Sequence, residues 1–120
     1  MVVLMNAPGE FRKRLMQEVG RSVRVGTKLS VEPADVVIVW MKRDERLDNF
    51  FRAVERKIKQ DGALWCIFPK QPLRLERKFS YDWDAMVRSG LNTQLVDNKT
   101  LTFSEEEYGT RFVVRKDLRS

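Results

Sequence analysis

Two uninterrupted apolar runs dominate the pattern of this chain, Val36–Trp40 and Ala63–Phe68. Both are rich in β-branched or aromatic residues and are bounded by turn formers. They predict strands covered on both faces, the usual state of a parallel sheet. Between them Leu47, Phe50, Phe51, Val54 and Ile58 recur at helical spacing, and Arg52, Glu55, Arg56, Lys57 and Lys59 take the opposite face. Asp61-Gly62 is expected to close that helix. Strand, helix and strand within roughly 33 residues make a βαβ unit, whose crossover should be right-handed.

The flanking pattern extends this unit. Val2–Leu4 reads as a short buried strand stopped by Asn6-Ala7-Pro8-Gly9. Phe11, Leu15, Met16 and Val19 follow at helical spacing, with Glu10 in the first turn and Gly20 placed to end the helix. Ser22–Leu29 alternates as a half-buried strand. Only about five residues then separate it from the Val36 run, whereas a parallel crossover takes about a dozen. Either these two strands are antiparallel neighbours or the first is shorter than its alternation suggests. Beyond Pro69, Lys70–Lys78 forms a basic connection. Trp83, Met86 and Val87 mark a short helix begun near Ser80 or Asp82 and stopped at Gly90. Thr93–Phe103 and Thr110–Arg115 have strand composition around a Ser104–Gly109 turn and predict an antiparallel hairpin. The fold class is therefore α/β: one small Rossmann-like three-layer domain over 1–120, with a mostly parallel sheet of about five or six strands and a C-terminal antiparallel hairpin.

Composition narrows the chemistry. There is no histidine among the 120 residues and a single cysteine, Cys66. Histidine triads, histidine general bases and the commonest metal ligand are thereby removed, as is an internal disulfide. No metal site is expected. No apolar run approaches membrane-spanning length, so no membrane partner and a cytoplasmic address are expected. A net charge of +6 favours anionic partners, against the plainer reading that Lys and Arg solvate helix faces.

Four stretches carry a family resemblance: Leu4-Met5-Asn6-Ala7-Pro8, Ala34-Asp35-Val36-Val37, Leu64-Trp65-Cys66-Ile67-Phe68-Pro69-Lys70 and Tyr108-Gly109-Thr110-Arg111-Phe112-Val113. They resemble a family of small bacterial proteins with no assigned function. The element order resembles a truncated S-adenosylmethionine-dependent methyltransferase fold, most clearly from Asp35 to Arg115. The resemblance implies a fold and brings no activity with it. Working enzymes of that fold carry a glycine-rich turn after the first strand and an acidic residue at the end of the second. Here those places hold Asn6-Ala7-Pro8-Gly9 and Lys28-Leu29-Ser30, with Glu32 beyond the strand end. No cofactor is expected.

Candidate sites follow from position. Asn6 and Gly9 open a helix, where free N–H groups can hold an anion, although Glu10 opposes one. Asp44, with Glu45 and Asp48, and Lys70 follow the two central strands at the carboxyl edge, where ligands of open α/β sheets usually sit. Asp44 is equally placed to cap the next helix, and Lys70 to be solvated. Arg74, Arg77 and Lys78 alternate with Leu73, Leu75, Phe79, Tyr81 and Trp83. Together with the Arg52, Arg56, Lys59 face they could grip single-stranded nucleic acid, unless the aromatics merely pin the loop to the core. Glu105-Glu106-Glu107 fan outward as a solvated turn. The missing catalytic types lean away from an enzyme and favour a non-catalytic module that self-associates or docks on a protein partner. The alternatives are RNA or single-stranded DNA binding through the basic loop and helix face, and binding of a small anionic ligand or nucleotide at the carboxyl edge.

Overall fold

The computed structural model describes residues 1–119. Strand β1 (Val2–Met5) leads through helix α1 (Gly9–Val19) to β2 (Val25–Gly26). Then come β3 (Ala34–Trp40), α2 (Leu47–Glu55), β4 (Ile58–Pro69), the short α3 (Leu73–Glu76), α4 (Trp83–Leu91), and the hairpin β5 (Leu95–Thr102) and β6 (Glu107–Val114). The six strands form one sheet in the order β2-β1-β3-β4-β6-β5. The pairs β1–β2, β1–β3 and β3–β4 are parallel, and β6 runs antiparallel to both of its neighbours. The α/β class, the mostly parallel sheet, the central place of β3 and β4 and the closing hairpin all agree with the sequence pattern. The hairpin is inserted, with β6 lying between β4 and β5.

The alternating strand between residues 22 and 29 is shorter than its pattern. Only Val25 and Gly26 pair, and they do so parallel to β1, which separates them from β3. Because β2 spans two residues, the return from Thr27 to Pro33 covers little of the sheet's height, and about seven residues, reaching up to ~23 Å, suffice.

Two glycines act for reasons other than those their neighbours suggest. Helix α2 ends at Glu55, and Ile58 belongs to β4, so Asp61-Gly62 lies inside a strand rather than after a helix. The register there jumps from Ala34 opposite Ile58 to Val36 opposite Ala63. Gly62 occupies this irregularity, and a Cβ on it would fall 2.6 Å from the Asp35 carbonyl oxygen. Gly90 lies inside α4, where Asn92 is the C-cap, and it lets the Phe112 ring approach. Two other helix ends match their signals: Gly20 follows α1 with φ 68°, and the Asp82 carboxylate accepts the Ala85 N–H at 2.8 Å.

The core lies on one side of the sheet. Val3, Val37, Val39, Leu64, Cys66 and Phe112 pack there against Phe50, Phe51 and Val54 of α2 and Met86 and Val87 of α4. Among the described residues, α1 is the one α-helix on the other side, and none of its residues is fully buried. The expectation that both central strands are covered on both faces therefore holds fully for one face and in part for the other, where Trp40, Ala63 and Ile67 are buried. On the second face Val36, Ile38 and Trp65 remain half-exposed.

Candidate functional site

The residues expected at the carboxyl edge do not converge. Asn6 ends β1 with φ 58°, and its side-chain amide donates to the Trp40 carbonyl at 3.1 Å, bridging the ends of β1 and β3. Those two neighbouring strands are where the chain's path across the sheet reverses, the usual ligand crevice of this architecture. Gly9 is the first residue of α1, after Pro8, with no side-chain cap. Asp44 does not cap α2: the N-cap is Arg46, whose side chain makes no capping bond, and Asp44 is exposed in the preceding turn. The helix starts two residues too late for Asp44 to be its N-cap. Lys70 sits over the Tyr108 ring, 5.1 Å from its centroid, on the hairpin side of the sheet.

A wide depression of about 420 Å³ opens between α2 and α4, lined by Glu45, Asp48, Tyr81, Arg88, Ser89 and Asn92 among others. Its two buried polar side chains, Ser89 and Tyr81, each have a hydrogen-bond partner. Ser89 donates to Asp48, and the Tyr81 hydroxyl donates to the Lys42 carbonyl. Burial pushes the Tyr81 hydroxyl pKa up, so it stays a neutral donor. Sequence position marked Glu45 and Asp48 but not Tyr81, Arg88 or Ser89, which come from a loop and helix far along the chain.

The basic set divides between opposite edges of the sheet. Arg74 of α3 donates to the Tyr81 carbonyl at 3.4 Å. Arg77 pairs with Glu106 at 3.3 Å and Glu107 at 3.8 Å, so these two carboxylates do not simply fan into solvent. Lys78 is exposed, with φ 57°. All three follow β4 at the carboxyl edge. Arg52 lies on α2, and Arg56 is its C-cap. Lys59 lies on β4 at the amino edge, 2.9 Å from Asp35, and not on the helix. The loop aromatics are engaged: Phe79 and Tyr81 pack on Phe68 with centroids 5.2 and 5.7 Å away, and Trp83 donates to Thr110 at 2.9 Å. They pin the loop and are not free to stack on bases.

The most distinctive surface is the half-covered sheet face. Partners directly opposite in a sheet point the same way. The register therefore puts Ile38, Trp65, Arg111 and Lys99 in one row, and Trp40, Ile67, Gly109 and Leu101 in the next. Ile38, Trp65, Ile67, Leu101 and Phe103 line a groove of about 240 Å³ with apolar walls. Gly109 supplies no side chain to its floor, and a Cβ there would lie 3.4 Å from the Trp65 ring and 3.5 Å from Ile67. One end is closed by three rings: Phe11 of α1 meets Trp40 at 4.9 Å and Phe103 at 5.7 Å, and Trp40 meets Phe103 at 5.6 Å. Phe103 is 37% exposed and Met16, on α1, 51%. The buried indole N–H of Trp40 has no hydrogen-bond partner. Periodicity could not single out this groove, because a run buried on two faces and a run buried on one and a half look alike.

No family model and no curated protein sequence matches the chain. Solved structures do match in fold. A candidate methyltransferase from Thermoplasma acidophilum aligns with a TM-score of 0.53 at 13% identity, over 99% of this chain and 59% of that one. The N-methyltransferase NodS from Bradyrhizobium japonicum gives 0.58 at 10% identity, over 95% and 73%. Aeropyrum pernix fibrillarin, solved with S-adenosyl-L-methionine, gives 0.55 at 9%, over 92% and 54%. This chain thus spans between about half and three-quarters of the length of these three structures. S-adenosylmethionine is the group this fold implies, and the residues present do not suit it. The crevice at the β1/β3 ends is crossed by the Asn6 side chain, the β1 turn holds one glycine, and no carboxylate ends β2. Glu32, the nearest acid in sequence, is paired with Arg24. The likeness is one of architecture: this chain has the Rossmann-like α/β fold also seen in S-adenosylmethionine-dependent methyltransferases.

Proposed function

We propose that this chain is a methyltransferase-fold module that works by docking a partner on the half-covered face of its sheet, without transferring a methyl group. The observation carrying this reading is the apolar groove running from Ile38, Trp65 and Ile67, on central strands that this architecture ordinarily shields, to Leu101 on the edge strand β5. Apolar concavities with exposed rims are where folded domains commonly seat partners. The bridged crevice at Asn6 supports the same reading, since the Asn6 amide crosses the place where this architecture usually seats its ligand.

The test is photo-crosslinking of the full chain in its native cells, with p-benzoylphenylalanine replacing Trp65 or, as control, the exposed Glu105. A discrete adduct from position 65, absent from position 105 and lost when Leu101→Glu is added, is expected. No adduct at 65, or one indifferent to Leu101→Glu in a chain with unchanged circular dichroism, overturns the reading.

A further inference from the structure

Resting on that docking reading, we propose that the occupant of the groove is an acidic amphipathic helix of a protein partner. Size and charge carry this. Between β3 and β5 the sheet face is three strand spacings wide, about 14 Å. That is enough to seat a helix roughly 10–12 Å across beside α1. The floor and walls are apolar and suit the apolar stripe of such a helix.

The charges at the rim are mostly positive. Lys99 and Arg111 stand in register with Trp65, directly across the strands. On the α1 side, Arg14 and Glu18 flank Phe11 and Leu15, and Phe11 is itself in contact with Phe103 at the groove's end. Among the described residues, Arg14, Lys99 and Arg111 make no ion pair, whereas Arg24, Lys59 and Arg77 each have a carboxylate partner. The cations around the groove are therefore available; the carboxylates beside them are Glu18 on α1 and Glu107, which lies opposite Phe103 and is engaged by Arg77 at 3.8 Å. A second copy of this chain would bring the same cations face to face and is disfavoured by its own charge, +6. A helix with carboxylates flanking its apolar stripe meets both features at once.

The probe is a pair of fluorescein-labelled 20-residue helical peptides sharing one Leu/Ile stripe, with Glu on the polar face of one and Lys on the other. Anisotropy titration with the full chain is expected to show the Glu peptide binding about tenfold more tightly at low salt. The preference should shrink as ionic strength rises. Trp65→Glu should weaken both peptides. Lys99→Glu combined with Arg111→Glu, on exposed or half-exposed positions that should leave the fold intact by circular dichroism, should remove or reverse the preference. Equal affinity for the two peptides, no binding of either, or a preference surviving the double charge reversal overturns the acidic-helix assignment. So does a dimer in sedimentation that Trp65→Glu dissociates. If crosslinks from position 65 persist while the peptides fail to discriminate, docking stands and the partner chemistry falls. If both fail, docking itself falls.

Discussion

Gly90→Ala sets two effects of opposite sign against each other. Ala is favoured over Gly inside a helix by up to about 1 kcal/mol, and Gly90 lies in the last turn of α4, where the gain is smaller. Against this, a Cβ at position 90 would fall 2.5 Å from Phe112 Cε1, 3.1 Å from Cζ and 3.2 Å from Cδ1. Carbon atoms prefer about 3.5–4.0 Å. The ring has little room to yield: it is fully buried, packs against Phe51 at 5.1 Å, and belongs to a strand paired on both sides. Overpacking of this kind costs about 1–3 kcal/mol. The net expectation is a loss of about 1–2 kcal/mol, which at a urea slope of about 2 kcal/mol/M lowers the midpoint by ~0.5–1 M. Phe112→Leu relieves the clash, so a double-mutant cycle should show about 1 kcal/mol of favourable coupling between the two changes. Gly9→Ala, where no atom lies within 4 Å of the new Cβ, should be neutral or slightly stabilising. A Gly90→Ala midpoint equal to or above wild type, or zero coupling with Phe112→Leu, refutes the packing argument.

Three further outcomes follow. Val39→Asp places a carboxylate in the fully buried core and should abolish cooperative folding. Ile38→Asp, one residue away on the open face, should cost no more than about 2 kcal/mol; equal costs in urea titration would mean that the second face is not open. Burial pushes the Cys66 thiol pKa up, so Ellman's reagent should label it only through unfolding, and rapid stoichiometric labelling of the native chain would contradict its enclosure. The N-terminal ammonium and Lys59 hold the Asp35 carboxyl at about 2, below its ordinary 3.8. Because the folded-state value is the lower one, this pairing stabilises the fold above about pH 4 and fades as pH falls towards 2. The stability gap between wild type and Asp35→Asn should therefore be present at pH 6 and closed at pH 2, and a gap independent of pH would rule the pairing out.

The fold was largely legible because its strongest signals are local. The β3 and β4 runs, the α2 stripe and the hairpin each fit within a window that periodicity can read, and their order allows few topologies. What was illegible depends on distant contacts. Gly62 and Gly90 look like helix stops, and only the Asp35 carbonyl and the Phe112 ring reveal them as close-approach positions. Asp44 has the composition of a cap but stands two residues ahead of the N-cap position. Lys59 falls on the helical spacing yet belongs to a strand and pairs with Asp35, which scatters the basic face that spacing had assembled. The groove was hidden for a related reason. An apolar strand residue carries no mark of whether a helix covers it, so Ile38 and Trp65 read as interior until the single helix on their side was placed.

Calorimetric titration of the folded chain with S-adenosylmethionine bears most directly on the proposal that this methyltransferase-like scaffold does not bind that cofactor. Heats indistinguishable from dilution up to about 1 mM ligand, where binding free energy would be no stronger than about −4 kcal/mol, are predicted. Saturable binding in the micromolar range, abolished by a bulky substitution at Asn6, would contradict the account and return the chain to the methyl-transferring members of its fold.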